Sequence, residues 1–286
     1  MRLRDWLWFL RVRGNRSHSR RRVLRPVPRT EQLEQRTLLA APHPVDLGTL
    51  NGTTGFRLDG IDPDDRAGFS VSDAGDINGD GFGDLIIGAP TANSAAGEAY
   101  IVFGKSGGFA SAIDLGSLDG SNGFRLDAGS GQRLGASVSS AGDVNGDGFD
   151  DLIVGVYLTT VGGNPYAGTT YVLFGKSGSF TSAVNLGTLD GTDGFRLDGI
   201  DAFDQSGAAV SAAGDVNGDG FDDLIIGAPD GDPNTNTSAG ETYVVFGKSG
   251  GFGSAIDLGA LDGTNGLRLD GVPPTIRPVG RCPPPA

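Results

Sequence analysis

DVNGDGFDDLIVG, from Asp143 to Gly155, runs an acidic, glycine-rich loop straight into a short apolar segment. Side-chain oxygens fall at the first, third, fifth and ninth positions of the loop, on Asp143, Asn145, Asp147 and Asp151. Gly148, at the sixth position, permits the sharp reversal that turns them toward one centre, and the backbone carbonyl of Phe149 is a further candidate ligand. Only oxygen is offered, and three like-charged carboxylates repel one another unless a hard cation sits among them, so calcium is the expected occupant. An EF-hand would require Glu at the twelfth position and a helix on either side. That position is Val154, inside a β-branched run closed by Gly155, which predicts a buried strand. The loop therefore joins two strands.

The same loop occurs twice more. DINGDGFGD offers Asp76, Asn78, Asp80, Asp84 and the carbonyl of Phe82, and a second DVNGDGFDD offers Asp215, Asn217, Asp219, Asp223 and the carbonyl of Phe221. Their first residues lie 67 and then 72 positions apart. YIVFGKSGGF at Tyr100 returns at Tyr171 and Tyr243, and IDLGSLDGSNGFRLD at Ile113 has relatives starting at Val45, Val184 and Ile256. The units run over about 45–112, 113–183 and 184–255, with a partial unit at 256–272. Repetition on this scale marks units that bury their faces by stacking on neighbours.

Each unit predicts four strands. The first is built of small residues, as at Phe69 or Ala136, and suits a crowded inner position. The second and third, such as DLIIG and YIVFG, are apolar on consecutive residues, as expected when both sheet faces are covered. The fourth, GFRLD, alternates, with Phe56 and Leu58 inward and Arg57 and Asp59 outward, which fits an outer edge strand with one wet face. The expected fold is all-β, a β-propeller of four-stranded antiparallel blades. Since propellers close with about four to eight blades, the expectation is a partial propeller of three blades plus one extra outer strand, from a longer chain or from a protomer that closes by self-association through open blade faces.

These residues resemble the FG-GAP repeats of integrin α-subunit propellers and their bacterial relatives. GAP is literal at Gly88-Ala89-Pro90 and Gly227-Ala228-Pro229, whereas the second unit reads Gly155-Val156-Tyr157. The FG half is loose, with Gly68-Phe69 inverted and Leu134-Gly135 and Ser206-Gly207 in the later units. The resemblance covers residues 45 to 271 and includes the DxNxDGxxD loop in all three units. It implies a bound cation that braces a loop and takes no part in catalysis.

The chain's net charge of −13 is unevenly spread. Residues 1–40 hold eleven Arg against three acids, while residues 41–272 hold nine Lys or Arg against 32 Asp or Glu. An acidic repeat region repels phosphate backbones and draws cations, which excludes nucleic acid as a partner. Segment 1–41 reads as an export or targeting segment: a brief apolar cluster, Trp6 to Leu10, precedes Arg20-Arg21-Arg22 and then EQLEQRTLLA, ending at Ala40. That decapeptide resembles an N-terminal motif of planctomycete extracellular proteins, and the expected location is extracellular or at the cell surface. A basic arm without a targeting role is the alternative. No stretch approaches the roughly 20 apolar residues of a membrane span. Residues 273–286 form a Pro-rich tail that departs from the repeat and carries the single cysteine, Cys282.

His18 and His43 precede the first unit and Cys282 follows the last, which leaves no nucleophilic triad or histidine-based zinc site within the repeats. The expected function is a calcium-binding extracellular module for adhesion or for an extracellular protein or carbohydrate ligand, with the variable loops TANSAAGE at Thr91, LTTVGGNPYAG at Leu158 and DGDPNTNTSAG at Asp230 as its contact surface. The alternatives are the propeller portion of a hydrolase resembling glycosylphosphatidylinositol-specific phospholipase D, or a carbohydrate-binding propeller. The acidic loops can also be read as turns that need no metal.

Overall fold

A computed structural model describes residues 46–129, 132–233 and 237–271. The export segment at 1–41 and the tail at 273–286, with Cys282, lie outside the described residues. An outer strand, β1 (Arg57–Asp59), comes first. The first blade follows with β2 (Ser70–Gly75), β3 (Asp84–Ala89) and β4 (Glu98–Val102), then a short β5 (Ala112–Asp114) and β6 (Gly123–Asp127). The second series is β7 (Ser137–Gly142), β8 (Asp151–Val156), β9 (Thr169–Leu173), β10 (Ala183–Asn185) and β11 (Gly194–Asp198). The third is β12 (Ala209–Gly214), β13 (Asp223–Ala228), β14 (Glu241–Val245), β15 (Ala255–Asp257) and β16 (Gly266–Asp270).

Three antiparallel blades result, ordered β2-β3-β4-β6, β7-β8-β9-β11 and β12-β13-β14-β16. The inner strands β2, β7 and β12 lie against one another in turn, which their Ser and Ala residues make possible. Each blade straddles two sequence units, because its outer GFRLD strand belongs to the unit after its first three strands.

A fifth strand escapes the sequence reading. β10 adds in parallel to β6, β15 to β11, and β5 to β1. Three residues are too few to display a period. Each of these strands ends where Asp114, Asn185 or Asp257 accepts the N–H of the glycine two residues on, at 2.8, 2.9 and 2.8 Å, and bends the chain into a short 3₁₀ turn.

The cores form between blades. Ile77, Ile86 and Ile101 of the first blade pack with Val138, Val154 and Leu173 of the second, and Val144, Ile153 and Val172 of the second pack with Val210, Ile226 and Val245 of the third. The FGKSG stretches add a repeated aromatic clamp: Phe124 stacks on Phe180 at 4.3 Å and Phe195 on Phe252 at 4.2 Å, with Lys176 and Lys248 each 4.9 Å above the second ring of the pair.

Equivalent positions therefore differ in burial. Val138 and Val210 are 7% and 9% exposed between blades, whereas Val71, at the same place in the first blade, is 67% exposed. Val138→Ala is expected to cost about 2 kcal/mol and Val71→Ala at most a few tenths. Urea midpoints of the two variants check this, and equal losses would contradict the interblade core.

Candidate metal loops

All three loops hang from the same irregularity. A bulge in the inner strand at Gly75, Gly142 or Gly214, each with φ near +67° to +69°, turns the chain out of the blade just before the first loop aspartate. The loop then returns into the buried second strand, β3, β8 or β13.

Side-chain oxygens fold the loop on itself. In the second loop Asp143 Oδ1 accepts the N–H of Gly146 at 2.7 Å and of Asp147 at 3.1 Å, and Oδ2 accepts that of Gly148 at 2.9 Å. Asn145 Oδ1 accepts from Asp147 N at 2.8 Å, its Nδ2 donates to Asp147 Oδ2 at 2.9 Å, and Asp147 Oδ1 accepts from Phe149 N at 3.0 Å. The third loop repeats this with Asp215, Asn217 and Asp219, and the first with Asp76, Asn78 and Asp80.

The ninth-position aspartates take a different place. Asp84, Asp151 and Asp223 are buried in the loop floor, and each joins two separate pieces of backbone. Asp151 accepts from Val144 N at 3.0 Å and Gly175 N at 2.9 Å, Asp223 from Val216 N and Gly247 N at 2.9 Å, and Asp84 from Ile77 N at 3.1 Å and Gly104 N at 2.7 Å. Burial pushes the Asp151 carboxyl up to about 8 and that of Asp84 to about 6, and the loop carboxylates Asp147 and Asp143, or Asp80 and Asp76, add to the rise. Backbone N–H groups pull the other way.

Among the described residues, no group of three or more His, Cys, Asp or Glu side chains stands in position to hold a metal ion. The donor chemistry nonetheless fits a hard cation. A carboxylate has about four lone-pair sites, and the ninth-position aspartates spend two of them on N–H groups. Each loop thus keeps free lone pairs on three carboxylates and one amide, and no nitrogen or sulfur ligand competes.

Sequence reasoning missed the eighth position. Asp150 Oδ2 accepts the N–H of Asp76, in the loop before it, at 2.7 Å, and Asp222 Oδ2 accepts that of Asp143 at 3.0 Å. A doubled Asp at the end of DVNGDGFDD was the available signal, and the first loop carries Gly83 there instead. The seventh-position phenylalanines also cross between blades: a Cβ on Gly79 would meet the Phe149 ring at 2.3 Å, and one on Gly146 would meet the Phe221 ring at 2.3 Å.

Tyr100, Tyr171, Tyr243, Phe103 and Phe174 are buried, as their periodicity predicts, and Phe246 is half-buried. The variable loops leave the opposite ends of the second strands. The one starting at Leu158 borders a cavity of about 360 Å³, lined by Thr159, Thr169, Tyr171, Arg196 and Asp198 among others, and presents Tyr166 in tilted contact with Phe203 at 5.7 Å, both rings exposed. No helix among the described residues is long and apolar enough to cross a membrane.

Blades of this construction, with an acidic loop between their first and second strands, define a β-propeller repeat protein. The repeats are FG-GAP repeats, matched over residues 69–102, 134–173 and 206–245, and the chain is integrin-α-like. Integrin α pat-2 of Caenorhabditis elegans is 33% identical over 189 residues, which is 65% of this chain and 14% of that protein. Integrin α-PS5 of Drosophila melanogaster is 33% identical over 169 residues, 57% of this chain and 15% of that one. Bovine phosphatidylinositol-glycan-specific phospholipase D is 34% identical over 172 residues, 58% of this chain and 19% of that one. The match therefore spans less than a fifth of each of these relatives.

Proposed function

We propose that this chain is a calcium-braced extracellular module that binds an extracellular protein or glycan and performs no catalysis. Calcium is held by Asp76, Asn78, Asp80 and Asp84 in the first loop, with the corresponding residues and the seventh-position carbonyls completing each site. The observation that carries this reading is the threefold recurrence of one all-oxygen donor set on one loop shape. A turn alone would need no carboxylates at the first, fifth and ninth positions. Bound calcium supplies positive charge that offsets mutual repulsion among the carboxylates and ties the loop to the buried strand after it.

Similarity to integrin α chains supports the adhesive role and the extracellular location. Ligand contact falls to the variable loops, where Tyr166 of the second one packs in tilted contact on Phe203 and leaves both rings exposed. Isothermal titration of metal-free protein with calcium tests the first half: three ions per chain are expected, and no uptake ends the reading. A glycan array and purified matrix proteins, probed with wild type and Phe203→Ala, test the second. Binding lost in the variant is expected, and binding unchanged would move the ligand surface elsewhere.

The similarity to phosphatidylinositol-glycan-specific phospholipase D favours a second reading, the propeller portion of a larger hydrolase. An assay of the chain with a glycosylphosphatidylinositol-anchored substrate separates the two readings, since turnover by these repeats alone would contradict the non-catalytic one.

A further inference from the structure

We infer that Asp150 and Asp222 are positioning residues through which each blade shapes the metal loop of the blade before it, so that the first two loops are braced for calcium and the third, among the described residues, is not. This rests on the calcium reading above. The geometry is repeated twice within the chain. Asp150 Oδ2 takes the Asp76 N–H at 2.7 Å across 74 residues of sequence, and Asp222 Oδ2 takes the Asp143 N–H at 3.0 Å across 79.

Neighbouring contacts close around the same point. Lys176 N donates to Ile77 O at 2.9 Å and Gly178 N to Asn78 O at 3.2 Å, while Lys248 N donates to Val144 O at 2.9 Å. Phe149 and Phe221 cover Gly79 and Gly146. The first two loops are thus held on their outer side by the next blade's loop and by the FGKSG stretch that follows its third strand.

Glycine at the bulge makes room for the carboxylate. A Cβ on Gly75 would come within 2.3 Å of the Asp150 carboxylate, and one on Gly142 within 2.2 Å of that of Asp222. Gly214 and Gly218, the matching residues of the third loop, have nothing among the described residues within 4 Å of the same point. Val216 is 57% exposed where Ile77 and Val144 are fully buried.

The electrostatic consequence concerns loop shape rather than ligation. The first aspartate of each loop must aim its side chain back over the loop, and a carboxylate fixed on that residue's own N–H pins its backbone. Metal affinity is lost to whatever ordering the loop undergoes on binding, so a pinned loop binds more tightly than a free one. A hydrogen bond to a charged acceptor, once removed, should weaken the loop it pins by about tenfold.

Two measurements on the full chain test this. Amide hydrogen exchange in chelator is expected to be at least tenfold slower at Asp76 and Asp143 than at Asp215, with Asp150→Ala releasing Asp76 alone and Asp222→Ala releasing Asp143 alone. Equal exchange at the three amides in wild type overturns the latch whether or not calcium binds. Loop-resolved calcium titration, followed by the amide resonances of each loop, is expected to give two tighter sites and one weaker one. Asp150→Ala should weaken only the first loop, and Asp150→Asn, which keeps an acceptor oxygen, should recover most of the loss. Three equal sites, or a loss spread over all loops, overturns the coupling. Absence of calcium uptake overturns the calcium reading itself, and the exchange result then decides the latch separately.

Discussion

Chelation of calcium lowers the thermal midpoint by about 10 °C in the expected result. At about 1 mM free calcium, a site with a dissociation constant near 0.1 mM stabilises the fold by roughly 1.4 kcal/mol, and three such sites together by about 4 kcal/mol. For a repeat region of this size each kcal/mol moves the midpoint by about 2–4 °C. The effect is large here because the three loops crowd carboxylates at one end of the blades. Asp76, Asp80, Asp143, Asp147, Asp215 and Asp219 gather there, and the lysines nearby are turned onto phenylalanine rings. Calorimetry with and without a chelator, at fixed ionic strength, checks the result. Superimposable melting curves would mean that the loops are acidic turns and nothing more.

How much of this was legible in the sequence depends on the length of the signal. Buried second and third strands declare themselves by unbroken apolar runs, as in Leu152 to Val154, and the inner strands by their Ser and Ala residues, all of which the fold bears out. The first, third and fifth loop positions could be singled out from spacing alone, since contacts within nine residues bring them together. Contacts across blades left weaker traces. Nothing local distinguishes Asp150, which serves the preceding blade, from Asp151 beside it, which serves its own. The parallel strand at Ala183–Asn185 is visible only through its pairing with Gly123–Asp127, in which each residue meets one 58 positions earlier in sequence. Alternation in GFRLD predicted a fourth strand but placed it at the outer edge, whereas β10 and β15 add outside it in two blades, and the pattern could not say that it closes the blade of the preceding unit.

Asp151→Ala and Asp147→Ala separate the two jobs that the loop carboxylates perform. On the calcium reading both variants remove a ligand, so calcium stabilises each by about one site's worth less than it does the wild type, roughly 1.4 kcal/mol. Asp147 is exposed, and its backbone contacts lie within the loop, so in chelator its replacement should be nearly neutral. Asp151 is fully buried and is the acceptor for Val144 N and Gly175 N, which belong to the loop and to the segment after the third strand. Alanine leaves both N–H groups without a partner in a site closed to water, at about 1–3 kcal/mol each. Even in chelator, then, Asp151→Ala should lose roughly 2–6 kcal/mol. Asparagine at that position retains one acceptor oxygen and should fall between the two. Urea unfolding of the three variants, each with and without calcium, gives the comparison directly. Equal loss from Asp147→Ala and Asp151→Ala in chelator would mean that the ninth-position carboxylate is a ligand only, and that the blade holds together without it.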